Sequence, residues 1–510
     1  MEEKQEEVVA VIKRFFFALL LMSWGSAIAQ IDSLAQFKKK VLEAVEVDLL
    51  MSYYEQEGTH AAVTGGLGNE YLTDYNPTVV VRIPMNEDAV LTADVGMSAY
   101  TSASSSNGNP FNRTGASGND GEGAYPRGNS SGSPPKGSPW ITSSGASGKD
   151  VLTTLNVAYQ KASDDRNLYW GANIGGSTEY DYESFNFGAS FARLWNQKNT
   201  ELSAKAQFFF DRWKPVIPTE LHEYELFQNT FLYNQDSYFR GVSIMDNQGN
   251  SVAAYLPENF TSYTFVHRNS FAFSLGLSQI LTPKMQVAFF ADVVMQEGLL
   301  SNPLQRVYFQ DRADYYVGNF RTLGNYASPS NDDLFHLADD VERLPNQRVK
   351  VPVGMRLNYY LNEYLVLRTY YRNYRDNWGI DSNTLQFELP VRLNLAWKLT
   401  PIYRFYNQTA ANYFAPYNAH LSTQDFYTSD YDLSNFTSHQ WGLAVGYRAV
   451  LSGFKIADFG LKSAQLRAQQ YQRSDGLSAF IVSTAFQFVL DHSQKLCDKL
   501  SKFARYFPLC

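Results

Sequence analysis

Residues 383 to 398 read NTLQFELPVRLNLAWK, and from 385 onward their odd positions, Leu385, Phe387, Leu389, Val391, Leu393, Leu395 and Trp397, are all apolar. Between them stand Gln386, Glu388, Arg392, Asn394 and Lys398. Successive side chains of a strand point to opposite faces, so this period of two predicts a single strand over the run, apolar on one side and polar on the other. The preceding stretch repeats the pattern, with Val349, Val351, Val353, Met355, Leu357 and Tyr359 alternating against Arg348, Lys350, Gly354, Arg356 and Asn358. Weaker copies stand at Phe185, Phe187 and Phe191, at Phe271, Phe273, Leu275 and Leu277, and at Trp441, Leu443 and Val445. So many strands, each with an exposed apolar face, do not suit a soluble sandwich. In a closed membrane barrel the same alternation divides lipid from lumen.

The expected fold is therefore all-β, a transmembrane antiparallel up-and-down β-barrel of about sixteen strands, with fourteen or eighteen as alternatives. The strands are placed at 45–56, 72–85, 89–103, 151–163, 167–180, 183–195, 200–213, 263–280, 284–297, 348–361, 364–378, 383–398, 401–412, 436–451, 462–473 and 478–490. With the first strand running outward, the short turns NED (86–88), TPK (282–284), NE (362–363) and TP (400–401) fall on one side. The long connections 104–150, 214–262, 298–347 and 413–435 all fall on the other. That is the asymmetry of short periplasmic turns and long extracellular loops.

Composition agrees. Tyr and Phe number 34 and 35, yet no long apolar run occurs beyond the N-terminus. Near that end Lys13 and Arg14 precede Phe15 to Met22 and then SAIAQ, whose Ala27 and Ala29 suit signal peptidase. Residues 1–29 read as a cleaved signal peptide, too short for a span of about 20 apolar residues. No cysteine stands at the cleavage point to carry a lipid. The acidic MEEKQEE is wrong for a signal n-region and puts the true start nearer Val9 or Val11. The organisation expected is signal peptide 1–29, a short, partly helical periplasmic lead 30–44, an outer-membrane barrel 45–490 and an amphipathic tail 491–510. In that tail Leu496, Leu500, Phe503 and Phe507 keep helical spacing. Cleavage removes three of 43 basic and four of 51 acidic residues, leaving a mildly acidic chain for which nucleic acid is no partner. Only Cys497 and Cys510 occur, so no disulfide framework is expected.

The segment HAAVTGGLG, with LTD and SAYTSASS downstream and SDGLSAFIVSTAFQFVL near residue 490, resembles an uncharacterised outer-membrane β-barrel family of Bacteroidota, a domain-of-unknown-function family. The resemblance implies a barrel in the outer membrane. Its members keep genetic company with thioredoxin-like, small-lipoprotein and flavin-transferase genes, which implies a setting of envelope redox work. No functional residues carry over from it. The partners expected are outer-membrane lipid, the barrel assembly machinery, and periplasmic or lipoprotein partners; no cofactor is called for.

Catalytic signals are poor. GNSSG over 128–132 has the nucleophile-elbow spacing but lies in low-complexity loop, and GASGKD lacks the first glycine and the hydroxyl residue of a phosphate loop. Enzyme function is not expected, with a barrel-embedded hydrolase the least favoured reading. Asp332, Asp333, His336, Asp339 and Asp340 offer donors to a metal, but without calcium-loop spacing they read as solvated loop charge. The lumen is a better candidate. Arg348, Lys350, Arg356, Arg368, Arg372, Arg392, Lys398 and Arg404 share the inward phase and make a basic stripe, with Glu46, Asp48, Asp94 and Asp292 facing inward from strands elsewhere. Such a wall suits a pore or transporter for small polar or anionic solutes, the alternative being a non-conducting platform for envelope partners. Finally, Thr64, Gly65, Gly66 and Gly68 sit in the first outer connection, and so specified a turn is expected to be ordered, folded inward against the barrel wall or a partner.

Overall fold

The structure is a computed structural model that describes residues 40–490 except 69, 103–149, 180, 216, 229, 238, 240, 259–262, 319–333 and 450–453. The signal peptide, residues 30–39 of the lead, GNSSG, residues 145–149 of GASGKD, Asp332, Asp333 and the tail lie outside the described residues. Val41–Ala44 are bends rather than helix.

Sixteen long strands follow one another: β1 Glu46–Glu57, β2 Leu72–Pro84, β3 Ala89–Ser102, β4 Asp150–Ala162, β5 Leu168–Thr178, β6 Tyr182–Trp195, β7 Thr200–Trp213, β8 Val266–Thr282, β9 Met285–Gly298, β10 Gln347–Asn362, β11 Leu365–Asp376, β12 Asp381–Glu388, β13 Trp397–Gln408, β14 Phe436–Arg448, β15 Phe459–Arg473 and β16 Ser478–Leu490. Each pairs antiparallel with the next. β16 returns onto β1, from Glu46↔Val489 to Glu57↔Ser478, so the sheet closes and leaves no edge. The protein is thus a transmembrane antiparallel β-barrel. Two short pieces complete the sheet, Val391–Arg392 beyond β12 and Lys455–Ile456 before β15.

Alternation divides the wall as lipid demands. On the outer phase Phe187, Phe210, Phe273, Leu275, Phe289, Val353 and Leu443 are exposed, while Trp170, Trp195 and Trp397 stand near the short-turn end as part of an aromatic girdle. The inner phase is polar; Asp48, Arg82, Asp94 and Asn156 bond across it.

The chain does not run straight through 383–398. β12 is interrupted at Leu389–Pro390, resumes for Val391–Arg392, and then reverses at Leu393–Ala396 into β13. The Asn394 carboxamide oxygen accepts from the amides of Ala396 and Trp397 at 2.9 and 2.8 Å, which closes the turn. Thr400 and Pro401 are therefore inside β13 and not a turn. Pro401 has no N–H to give β12, and the gap at Leu389–Pro390 falls directly opposite it, where Leu389 N–H bonds the Pro401 carbonyl. The alternation ran across the turn because Leu393 and Leu395 keep its phase.

At the long-loop end, connections fold into a second body. A helix, α1 (Thr219–Phe227), and Phe231, Phe239, Ile244 and Tyr255 from residues 214–265 share a core with Tyr308, Val317, Phe335 and Leu337 from residues 299–346. A small sheet of Ser251–Val252, Ile244–Met245, Tyr316–Gly318 and Leu334–His336 joins them. We call this body the cap.

Candidate functional site

The cap is tied together at one guanidinium. Arg306, fully buried, donates from Nε and Nη2 to the two carboxylate oxygens of Glu220 on α1, at 2.6 and 3.1 Å, and from Nη1 to the Val63 carbonyl at 3.1 Å. A bidentate, charge-assisted pair in a dry core is strong when the other donors of the guanidinium also find acceptors, and here a third loop supplies one. Phe335 covers the guanidinium, 5.3 Å from ring centroid to Cζ.

That third loop is the one containing Thr64 to Gly68. Ala62–Thr64 form a 3-10 turn, and Gly65 and Gly66 follow at φ of 77° and 90°. A Cβ on Gly65 would lie 2.7 Å from the Tyr308 ring, and one on Gly66 would lie 2.8 Å from the Ser429 carbonyl oxygen. Both left-handed backbone and close approach thus call for glycine here. Thr64 is buried and donates to the Ala61 carbonyl. His60 stacks on Tyr431 at 3.8 Å. The neighbours of this turn are therefore the loops around 306–308 and 429–431.

The described part of the acidic loop cluster is not solvated. His336, Asp339 and Asp340 are buried, as is Glu342. Asp340 meets Arg343 at 2.8 Å and accepts from the Tyr427 hydroxyl, and Asp339 accepts from the Phe309 amide at 2.8 Å. His336 is sandwiched by Tyr308 and Tyr316, shares a 2.5 Å hydrogen bond with Tyr417, and is held below its ordinary pKa by burial. Each acid turns to a separate partner, and no cluster of three or more possible metal ligands occurs among the described residues. Burial raises Asp339 to about 7 and Glu342 to about 8, the latter also beside Asp430. Glu70, in the first loop, is raised by burial to about 7.

Below the cap, register places all eight predicted cations on the inner phase. Gly354, paired with Arg372, and Arg356, paired with Tyr370, align β10 with β11; Gln386 pairs with Arg404, and Arg392 with Lys398. The stripe is not uniform. Arg348 is held by Asp376 at 2.6 Å and lies over Trp378, and Arg368 faces Glu388 at 3.7 Å. No ion pair holds Lys350, Arg356, Arg372, Arg392, Lys398 or Arg404 among the described residues. Arg356 lies beside the stacked pair Phe290 and Tyr370, its Cζ 5.6 and 5.5 Å from the two ring centroids. Of the acids, Glu46 and Asp48 bind Arg82, Glu46 also meets Lys462, and Asp94 accepts from Asn156. Asp292 is on β9, directly beside the stripe rather than across the lumen, so the acids do not form one opposing wall. Sequence reasoning missed Arg467 and Arg473, which extend the cationic side onto β15; the indistinct pattern around Leu451 hid that strand's phase.

The loop between β13 and β14 joins the cap, Tyr417 packing on its core and Tyr427 bonding Asp340, and its tip Tyr431–Leu433 meets the stripe. The Gln408 side-chain amide donates to the Asp432 carbonyl at 2.9 Å, and Arg473 binds the Asp432 carboxylate at 2.5 Å and the Tyr431 carbonyl at 2.7 Å. A cavity of about 260 Å³ lies there, between the tip and the inner faces of β11, β12 and β13.

A family model described as "Protein of unknown function (DUF3570)" matches residues 17–477. The chain belongs to this family. No curated protein matches it. Among solved structures, a bacterial polysaccharide outer membrane secretin is similar at 9% identity and TM-score 0.38, over 88% of this chain and 98% of that one. The toluene transporter TodX of Pseudomonas putida is similar at 8% and 0.35, over 89% and 90%. OccK1 (OpdK) of Pseudomonas aeruginosa is similar at 7% and 0.32, over 88% and 98%. Likeness at this level carries no argument about cargo, so what this DUF3570 member does rests on its own residues.

Proposed function

We propose that the protein is an outer-membrane channel or transporter for small polar or anionic solutes, with the loop cap as its outer closure. The observation that carries this reading is the inner phase of β10 to β13, where Arg356, Arg372 and Arg404 stand with no carboxylate partner among the described residues. A wall with surplus positive charge raises the local concentration of anions and favours their passage. The outward apolar belt, the aromatic girdle and the export signal support the outer membrane as its location, with lipid and the assembly machinery as partners. No reaction is assigned.

Planar-bilayer recording tests the reading. The folded protein is expected to conduct with anion preference, and Gln at Arg356, Arg372 and Arg404 together to move the reversal potential toward cations. Silence from correctly folded protein sinks the channel; unchanged selectivity removes the stripe's role. A second reading, a non-conducting platform for envelope partners, including redox proteins, draws on the cap, a packed body that exposes Tyr233 and Leu256. Silent bilayers together with capture of an envelope partner favour it.

A further inference from the structure

The cavity under the cap tip is more specific than a charged wall requires. Its floor includes Arg372, with Thr384 paired across from it and Tyr406 next beyond, and its sides include Ile380 and Leu433. Four charged groups lie in or beside it, besides Arg372. Arg348 is taken by Asp376, and Asp432 by Arg473. Of the cations that line the cavity, Arg372 is the one that no carboxylate holds among the described residues, and its guanidinium lies 5.6 Å from the centroid of the Tyr374 ring. A guanidinium with no acid beside it leaves its outer N–H groups for an anion arriving in the cavity.

We propose that this cavity binds a small monocarboxylate, with the carboxylate on Arg372 and its compact apolar body against Ile380, Leu433 and the Tyr406 ring. One uncompensated positive charge suits one negative charge, which favours a carboxylate over a phosphate dianion, and the guanidinium fork matches a carboxylate's two oxygens. A cavity of about 260 Å³ has room for a ring or a short chain. Because Leu433 is on the cap, a ligand seated there touches both wall and closure. The site rests on the channel reading, naming its solute class, but its test is separate.

Isothermal titration calorimetry on the folded full-length protein in micelles compares benzoate, benzyl alcohol and phosphate. Saturable one-to-one binding of benzoate, stronger than of either other probe, is expected. Arg372→Gln should weaken it by roughly ten- to hundredfold, the range of a charge-assisted hydrogen bond. Thr384→Val, a milder change less prone to misfolding, should weaken it several-fold. Arg375→Gln, on the outward phase of the same strand and paired with Asp381, should leave it unchanged. Heat-modified gel mobility shows that each variant is folded. Absent benzoate binding, phosphate bound more tightly than benzoate, or wild-type affinity in both folded Arg372→Gln and Thr384→Val overturns the site. Anion-preferring conductance without benzoate binding removes the site and leaves the channel, and binding without conductance removes the channel and leaves the site.

Discussion

Leu275 on the barrel wall is 61% exposed, whereas Leu221 in the cap is fully buried, and the two leucines belong to regions with opposite solvents. The wall turns its apolar side to lipid and closes its polar side around a lumen; the cap packs its apolar side chains together as a water-soluble domain does. Wall stability comes from a ladder in which every strand has two partners and none is an edge. Cap stability comes from a small core and from buried polar links, above all Arg306 with Glu220 and Val63. The wall should therefore survive changes that dissolve the cap.

The strongest such change is Arg306→Ala. It strands Glu220 in the core, at a cost of about 3–5 kcal/mol. Hydrogen exchange should rise across 299–318 and 334–346 and in α1 while β10 and β11 stay protected, and conductance should increase. Equal loss of protection in the strands would show that cap and wall are one cooperative unit. Adding Glu220→Gln should recover part of the loss by removing the unpaired charge.

Next comes pH. Burial raises Glu70 and Asp339 to about 7 and Glu342 to about 8, above the usual carboxylate range. Between about pH 4 and 8 the folded cap holds protons that its unfolded form has released, so unfolding releases protons and cap stability falls as pH rises. That contribution is complete below the unfolded values and gone once pH passes about 8. Exchange in the cap should accelerate from pH 5 to pH 9 beyond the intrinsic rate of amide exchange, with no matching change in the wall. An excess that grew toward acid would reverse the assignment.

The smallest effect is expected from Gly66→Ala, whose Cβ meets the Ser429 carbonyl in left-handed backbone. A cost of about 1–3 kcal/mol, confined to the cap, should appear as faster proteolysis of the 58–71 loop.

The same contrast accounts for what was legible in the chain. Lys350 and Val351 announce wall and lipid face by position alone, since a period of two is local and each strand carries its own record of which side is which. Loop lengths then ordered the ring. Where the record failed, at Leu393–Ala396, an apolar turn happened to keep phase, and only cross-strand pairing shows that Pro401 faces a gap in β12. The cap left no such record. His336 and Asp340 look like solvated loop charge because burial there depends on Tyr417 and Tyr427, 81 and 87 residues away, folding over them.

Thr64 to Gly68 shows the division best. Three glycines and a threonine in an outer turn indicate that something specific is required there. That it is Arg306, Tyr308 and Ser429, not the barrel wall, follows only from tertiary structure. The sequence by itself determined an all-β closed barrel of about sixteen strands and the inward phase of its charged residues, because alternation is written along each strand, and strand pairing fixed the number at sixteen. Tertiary structure decided the cap, the pairing that leaves Arg372 with no carboxylate among the described residues, and the cavity beneath Leu433, because contacts between distant loops have no periodicity to read.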